Sequence, residues 1–155
     1  MNKSGYGRYI SRYTIVHANE GTFTRPSKKT DRLRLKSGGH GQKNLDLLDK
    51  YGIEYHIVKI YTNGVRVGYV INHKDKLKSK KDNPGQTWFP SNWSEKTIIK
   101  AGQYIVSLKK NKKLRNSFAY GFYKKVKVGI YIDFFGNITT IFPDVNQKKS
   151  LWRRK

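Results

Sequence analysis

Hydrophobic and polar positions alternate with different periods along the chain. From Gly41 onward, Leu45, Leu48 and Tyr51 recur every three residues, which predicts a short amphipathic helix that Gly52 ends in left-handed geometry. The stretch "GIEYHIVKIYTNGVRVGYVI" (52–71) alternates instead. Asn63-Gly64 predicts a hairpin turn, because both residues accept positive φ. Pairing Thr62 with Val65 then puts Val58, Ile60, Val67, Tyr69 and Ile71 on one buried face. A lysine-rich loop (73–86) follows. Next, Ile98, Ala101, Ile105 and Leu108 recur at helical spacing behind an Asn92–Glu95 capping box. After a basic connector (109–116), "VKVGIYIDFFGNITTIFPD" (126–144) reads as two strands around a turn at Gly136-Asn137. Val126, Val128, Ile130 and Ile132 face one way; Lys125, Lys127 and Tyr131 face the other. Upstream, Tyr9, Tyr13 and Ile15 share one side of an alternating pattern, which predicts a strand, and "RPSKKTDR" (25–32) reads as a linker. The expected organisation is a basic leader over 1–33, one α+β domain over 34–146 with antiparallel strands, and a basic tail over 147–155.

Charge narrows the partners. The 155 residues carry 33 Lys+Arg against 10 Asp+Glu, a formal net charge of +23. Such an excess strains a compact fold by self-repulsion and points to a polyanion. No apolar run reaches the length of a membrane span, and no signal-peptide pattern opens the chain. The basic clusters sit in strand-like and loop-like stretches, which suits nucleic acid better than an anionic membrane surface. There are no cysteines, so disulfides, thiolate metal sites and cysteine nucleophiles are excluded.

The acids are scattered, with Asp46, Asp49, Asp75, Asp82 and Asp144 in predicted turns or on helix faces. They offer no cluster of oxygen ligands for a catalytic cation. A phosphate-binding glycine loop, a dinucleotide fingerprint and a serine elbow are also missing. Cleavage of a polyanion must then rest on histidine and lysine, with no metal or cofactor. Of the four histidines, His56 reads as a partly buried sheet residue and His17 as a surface one. His40, in "KSGGHGQKNL" (36–45), stands at a predicted helix start, where the macrodipole attracts anions and lowers an imidazole pKa. His73 opens the lysine loop. As a pair, His40 and His73 could cleave RNA. One takes the 2′-OH proton, the other protonates the departing 5′-oxygen, and a lysine stabilises the phosphate oxygens. A basic RNA-binding module without catalysis is the competing account. Trp88, Phe89, Pro90 and Trp93 could stack bases but abut a helix start and read as structural.

The order of motifs carries a resemblance. "RLKSGGHGQKNLDLLDKYGIEY", "NGVRVGYVINHKDK", "GQTWFPSNW…IIKAGQYI" and "GNITTIFPD" together resemble the bacterial EndoU nuclease domain, from Arg34 to Asp144. The resemblance implies helices packed on a curved antiparallel sheet, as in the barnase–EndoU–colicin–RelE group. It implies metal-independent cleavage of single-stranded RNA beside uridine, leaving a 2′,3′-cyclic phosphate and a 5′-OH, with transfer RNA a family-level target. It makes His40 and His73 the catalytic pair and Thr140 a contact to base and ribose. Gly39 and Gly41 let phosphate approach the imidazole. Phe142 stands where relatives often have tyrosine and keeps base stacking. Lys127 is the preferred catalytic lysine, with Lys74 the alternative at the substrate. Tyr69 and Ile71 replace the more usual asparagine and proline, and Thr87 a serine. The family also implies a monomeric toxin domain, delivered as part of a larger protein to the target-cell cytoplasm and blocked by an acidic immunity protein.

Overall fold

The structure, a computed structural model, describes residues 9–24, 33–82 and 84–147. The expected linker at 25–32 and most of the expected tail lie outside the described residues. The elements are α1 (Arg12–Asn19), β1 (Thr22–Thr24), β2 (Arg34–Ser37), α2 (Gln42–Lys50), β3 (Tyr55–Ile60), β4 (Arg66–Val70), β5 (Gln86–Trp88), α3 (Glu95–Ser107), β6 (Ser117–Tyr123), β7 (Val126–Ile132) and β8 (Ile138–Pro143). A short 3-10 turn, Lys76–Lys78, precedes β5. All the strand pairings are antiparallel. The class is α+β, as expected. The described strands do not form one sheet, however, but three: β1-β2, β3-β4-β5 and β6-β7-β8.

The main core lies between α1, α3 and the inner face of β6-β7-β8. It is built from Ile15, Ala18, Ile98, Ala101, Ile105, Val126, Val128, Ile130, Ile132 and Ile141, with Val65, Val67 and Phe89 from the other sheet. The alternation read from β7 therefore holds, because α3 covers that face and solvent the other. A smaller core of Leu35, Leu45, Leu48, Ile53, Val70 and Trp88 holds α2 against β2, β4 and β5. Trp88 and Phe89 are fully buried and Phe89 stacks on Trp93 at 4.9 Å, so these aromatics are structural.

Three local expectations are corrected. Tyr13 and Ile15 lie in a helix, α1, not in a strand, and Tyr9 precedes it. Ser11 caps it by accepting from Thr14 N at 3.1 Å, and Ile15 and Ala18, three residues apart, are buried. Thr14 Oγ1 donates to Ile138 O at 3.1 Å, tying α1 to β8. The hairpin pairs Tyr61 with Val65, not Thr62, through a three-residue loop in which Gly64 has φ +96°. A bulge at Val58 then breaks the face. Val67 and Tyr69 are buried, whereas Val58, Ile60 and Ile71 are exposed. Helix α3 is capped by Ser94, whose side chain accepts from Thr97 N at 3.2 Å, so Asn92 lies outside the cap.

Candidate active site

The C-terminal end of α1 leaves carbonyls that the helix cannot satisfy itself. Residues 39–41 satisfy them. Gly39 N donates to His17 O at 2.9 Å, His40 N to Ala18 O, and Gly41 N to Asn19 O at 3.1 Å. A loop distant in sequence thus caps α1, and in doing so brings His17 and His40 together. Gly38, with φ +71°, packs so closely on the His17 ring that a Cβ would come within 2.9 Å of Cε1 and Nε2.

His40 is held on two more sides. Its own carbonyl accepts from Phe89 N at 2.7 Å. Its Nδ1 lies 2.7 Å from Thr87 O, and a carbonyl can only accept, so the proton sits on Nδ1 and Nε2 keeps its lone pair. Burial pushes the His40 pKa down to about 3, opposed by the Thr87 carbonyl and reinforced by the positive charge of Lys78, then by His17 and His73. His40 is therefore neutral at physiological pH, with a free base nitrogen. His17 is less enclosed. Its Nδ1 lies 2.8 Å from Thr22 Oγ1, and its pKa is lowered by burial and by Lys78.

These groups line one open cavity of about 390 Å³, together with Ser37, Thr87, Phe118, Thr140 and Phe142. That volume falls in the range that holds a small organic ligand. Lys78 enters it from the 3-10 turn, which Asp75 caps by accepting from Leu77 N at 3.0 Å. Phe142 leans toward His40, with ring centroids 6.1 Å apart. Among the described residues no group of three or more His, Asp or Glu side chains converges as a metal site. No helix among them is long and apolar enough to cross a membrane.

A family model for bacterial EndoU nucleases matches residues 11–145, from the cap of α1 to the end of the cavity wall. The chain belongs to the bacterial EndoU nuclease family. It is a nuclease, and the match includes His17 as well as His40. Comparison with curated proteins and with solved structures found no match.

Within this EndoU nuclease, the cavity gathers some of the residues singled out by sequence and leaves others aside. His40, Thr140 and Phe142 line it. His73 does not. It is buried at 5 % exposure behind the glycine loop. Its Nδ1 accepts from Asp75 N at 2.9 Å, which fixes the turn that presents Lys78. Its Nε2 and the Gln86 Oε1 lack a well-formed hydrogen bond, yet Gln86 lies close enough to favour the protonated ring. Gln86 Nε2 in turn donates to Gly38 O at 3.1 Å and Gly39 O at 2.9 Å. His73 is thus placed to support the loop that carries His40. Burial, with Lys78, pushes its pKa down to about 4.

Lys127 sits on the outer face of β7, 5.2 Å above the Tyr120 ring and 3.7 Å from Asp144; Asp144 lines the cavity but Lys127 does not. The Lys74 side chain is exposed while its N–H donates to Leu35 O at 2.8 Å. Of the glycines, Gly38 and Gly85 line the cavity. Gly39 is turned against the Asn44 side chain and Gly41 against Asn19, and neither lines the cavity. His56 is exposed, not partly buried, with Nε2 2.6 Å from Glu54 Oε2 and its ring stacked on Tyr69. His17 and Lys78 also line the cavity and were not singled out from the sequence. The signal for His17 was the Ser11 cap with Ile15 and Ala18 at helical spacing. Lys78 carries no local signal, being one lysine among many in its loop.

Proposed function

We propose that the cavity cleaves single-stranded RNA by attack of a ribose 2′-OH on the adjacent phosphate. His40 acts as the general base. It is neutral, its Nδ1–H is anchored on Thr87 O, and its Nε2 is free to accept the 2′-OH proton. His17, more open and facing the same space, is the general acid for the departing 5′-oxygen. An anionic phosphate between the two raises the pKa of both rings, offsetting burial and Lys78. Lys78 stabilises the charge that builds on the nonbridging oxygens. The products are a 2′,3′-cyclic phosphate and a 5′-OH, and DNA is spared because it lacks the nucleophile. Thr140 and Phe142 receive the base, the ring by stacking and the hydroxyl by hydrogen bonding, which suits uracil.

The convergence of His17, His40 and Lys78 on one cavity carries this reading. It replaces His73 with His17, and Lys127 or Lys74 with Lys78. The kinship to the barnase–EndoU–colicin–RelE group and the biological setting belong to the same proposal. The domain acts as an antibacterial toxin, delivered within a larger protein to the target-cell cytoplasm, where transfer RNA is a target. It works as a monomer, and its +23 charge suits an acidic immunity protein seated over the cavity.

The test uses an RNA oligonucleotide with a single uridine, incubated with the protein in excess EDTA. Cleavage at uridine with a cyclic phosphate end is expected. A 2′-deoxy sugar at that uridine should abolish it. Cleavage that persists on the deoxy substrate would exclude the internal nucleophile, and binding without cleavage would favour a pure RNA-binding role.

A further inference from the structure

The outer face of β6-β7-β8 carries an unusual set of side chains. Strand register aligns them in three rows: Phe118 with Tyr131 and Thr140, Tyr120 with Gly129 and Phe142, and Phe122 with Lys127 and then Asp144. The opposite face is the core surface beneath α3, so this aromatic face does not serve that core. Phe118 remains 53 % exposed and Phe122 39 %. Phe118 is nevertheless held in place, edge-to-face with Tyr131 at 5.0 Å and with Phe142 at 5.9 Å. Phe142 and Tyr120 lean over Gly129, where a Cβ would lie 2.5 Å from Phe142 Cζ and 2.8 Å from Tyr120 Cε1. The missing side chain thus lets the two rings close over the middle of the sheet. Phe118 and Phe142 both line the catalytic cavity, so the platform is continuous with it.

We propose that this face is a second nucleotide subsite, in which the base next to the scissile nucleotide stacks on Phe118. The inference rests on the cavity being the RNA-cleaving site, since it extends that site outward. Every nucleobase offers a π face, and aromatic rings among cations bind single strands with little regard to sequence. Lys127 over Tyr120, and the exposed Lys124 and Lys125 at the β6–β7 turn, supply positive potential along the same path. Cleavage specificity for the scissile base then resides in Thr140 and Phe142, while Phe118 adds affinity for a neighbour of any identity.

The test compares kcat/KM for uridine 3′-methyl phosphate, which has no neighbouring base, with that for substrates extended from it by one nucleotide on the 3′ side (uridylyl-adenosine) or on the 5′ side. For the wild-type protein, extension on one side should raise kcat/KM by about 5- to 150-fold, the range expected for one stacked base. In Phe118→Ala the ratio of extended substrate to uridine 3′-methyl phosphate should collapse toward one. Phe118→Leu, which keeps apolar volume and guards against a folding defect, should collapse it too, whereas Phe118→Trp should retain it. A ratio preserved in the alanine and leucine variants overturns the proposal, as does wild-type cleavage that gains nothing from extension on either side. If the wild-type protein cleaves no substrate of any length, the reading of the cavity fails, and the subsite with it.

Discussion

His40 and His73 are both almost fully buried, both depressed in pKa by burial, and both influenced by Lys78. They differ in what the second ring nitrogen meets. His40 anchors Nδ1 on the Thr87 carbonyl and turns its other edge to the cavity. His73 spends Nδ1 on the Asp75 N–H and points Nε2 into the protein beside Gln86. On the proposed reading, one imidazole is held by the fold for a ligand and the other supports the fold. Neither burial nor a shifted pKa separates a reacting histidine from a supporting one, since both share them. The open cavity beside His40, absent beside His73, does.

The largest effects should break that contrast directly. His40→Ala and His17→Ala should each lower the single-turnover cleavage rate by about 10²- to 10⁴-fold, the usual range for acid–base groups, with far-UV circular dichroism unchanged. If His17→Ala cleaves at the normal rate while His73→Ala is dead, the two regions have been assigned the wrong way round. Lys78→Ala should follow with a loss of about 10²-fold, on the scale of a removed charge-stabilising donor, whereas Lys127→Ala and Lys74→Ala should each change the chemical step far less. Cleavage assays on the three variants rank them.

His73→Gln should act mainly on stability, lowering Tm while slowing cleavage by less than about tenfold through the displaced glycine loop and Lys78 turn. The same substitution bears on acid sensitivity. His40 and His73 titrate at about 3 and about 4 in the folded chain against 6.5 otherwise. Both folded values are depressed, so the unfolded chain binds more protons between these limits. Stability is greatest above 6.5 and declines as pH falls toward 4. Near pH 5 these two groups alone account for uptake of about two protons on unfolding. Urea unfolding across that window should show a shallower pH slope for His73→Gln, by about one proton; an unchanged slope would mean that His73 is not buried as a neutral ring. The smallest effect belongs to His56→Ala, an exposed site where the change in stability should stay within about 0.5 kcal/mol.

Much of the second half of the chain was readable from pattern. The β7 alternation, the turn before β8 and the apolar stripe of α3 came out in place because one face of each meets a single core. The β3 face did not, because the Val58 bulge shifts register by one and no helix covers Ile60. Within the site, His40, Thr140 and Phe142 were identifiable from sequence motifs that the cavity brings together. His17 was hidden by a segment that looked like a basic leader, since the pairing of α1 with residues 39–41 is long-range backbone chemistry with no periodic trace.

By itself, the amino-acid sequence determined the charge, the lack of cysteine, the family motifs and the apolar periods, all properties of residues taken singly or with near neighbours. Only the tertiary structure decided which histidine faces the cavity. That depends on how the unpaired carbonyls of α1 are satisfied by a loop some twenty residues on, and on which lysine of a lysine-rich turn lies nearest. Such choices are made by three-dimensional hydrogen-bond geometry, and His17, Lys78 and His40 meet because that geometry closes there.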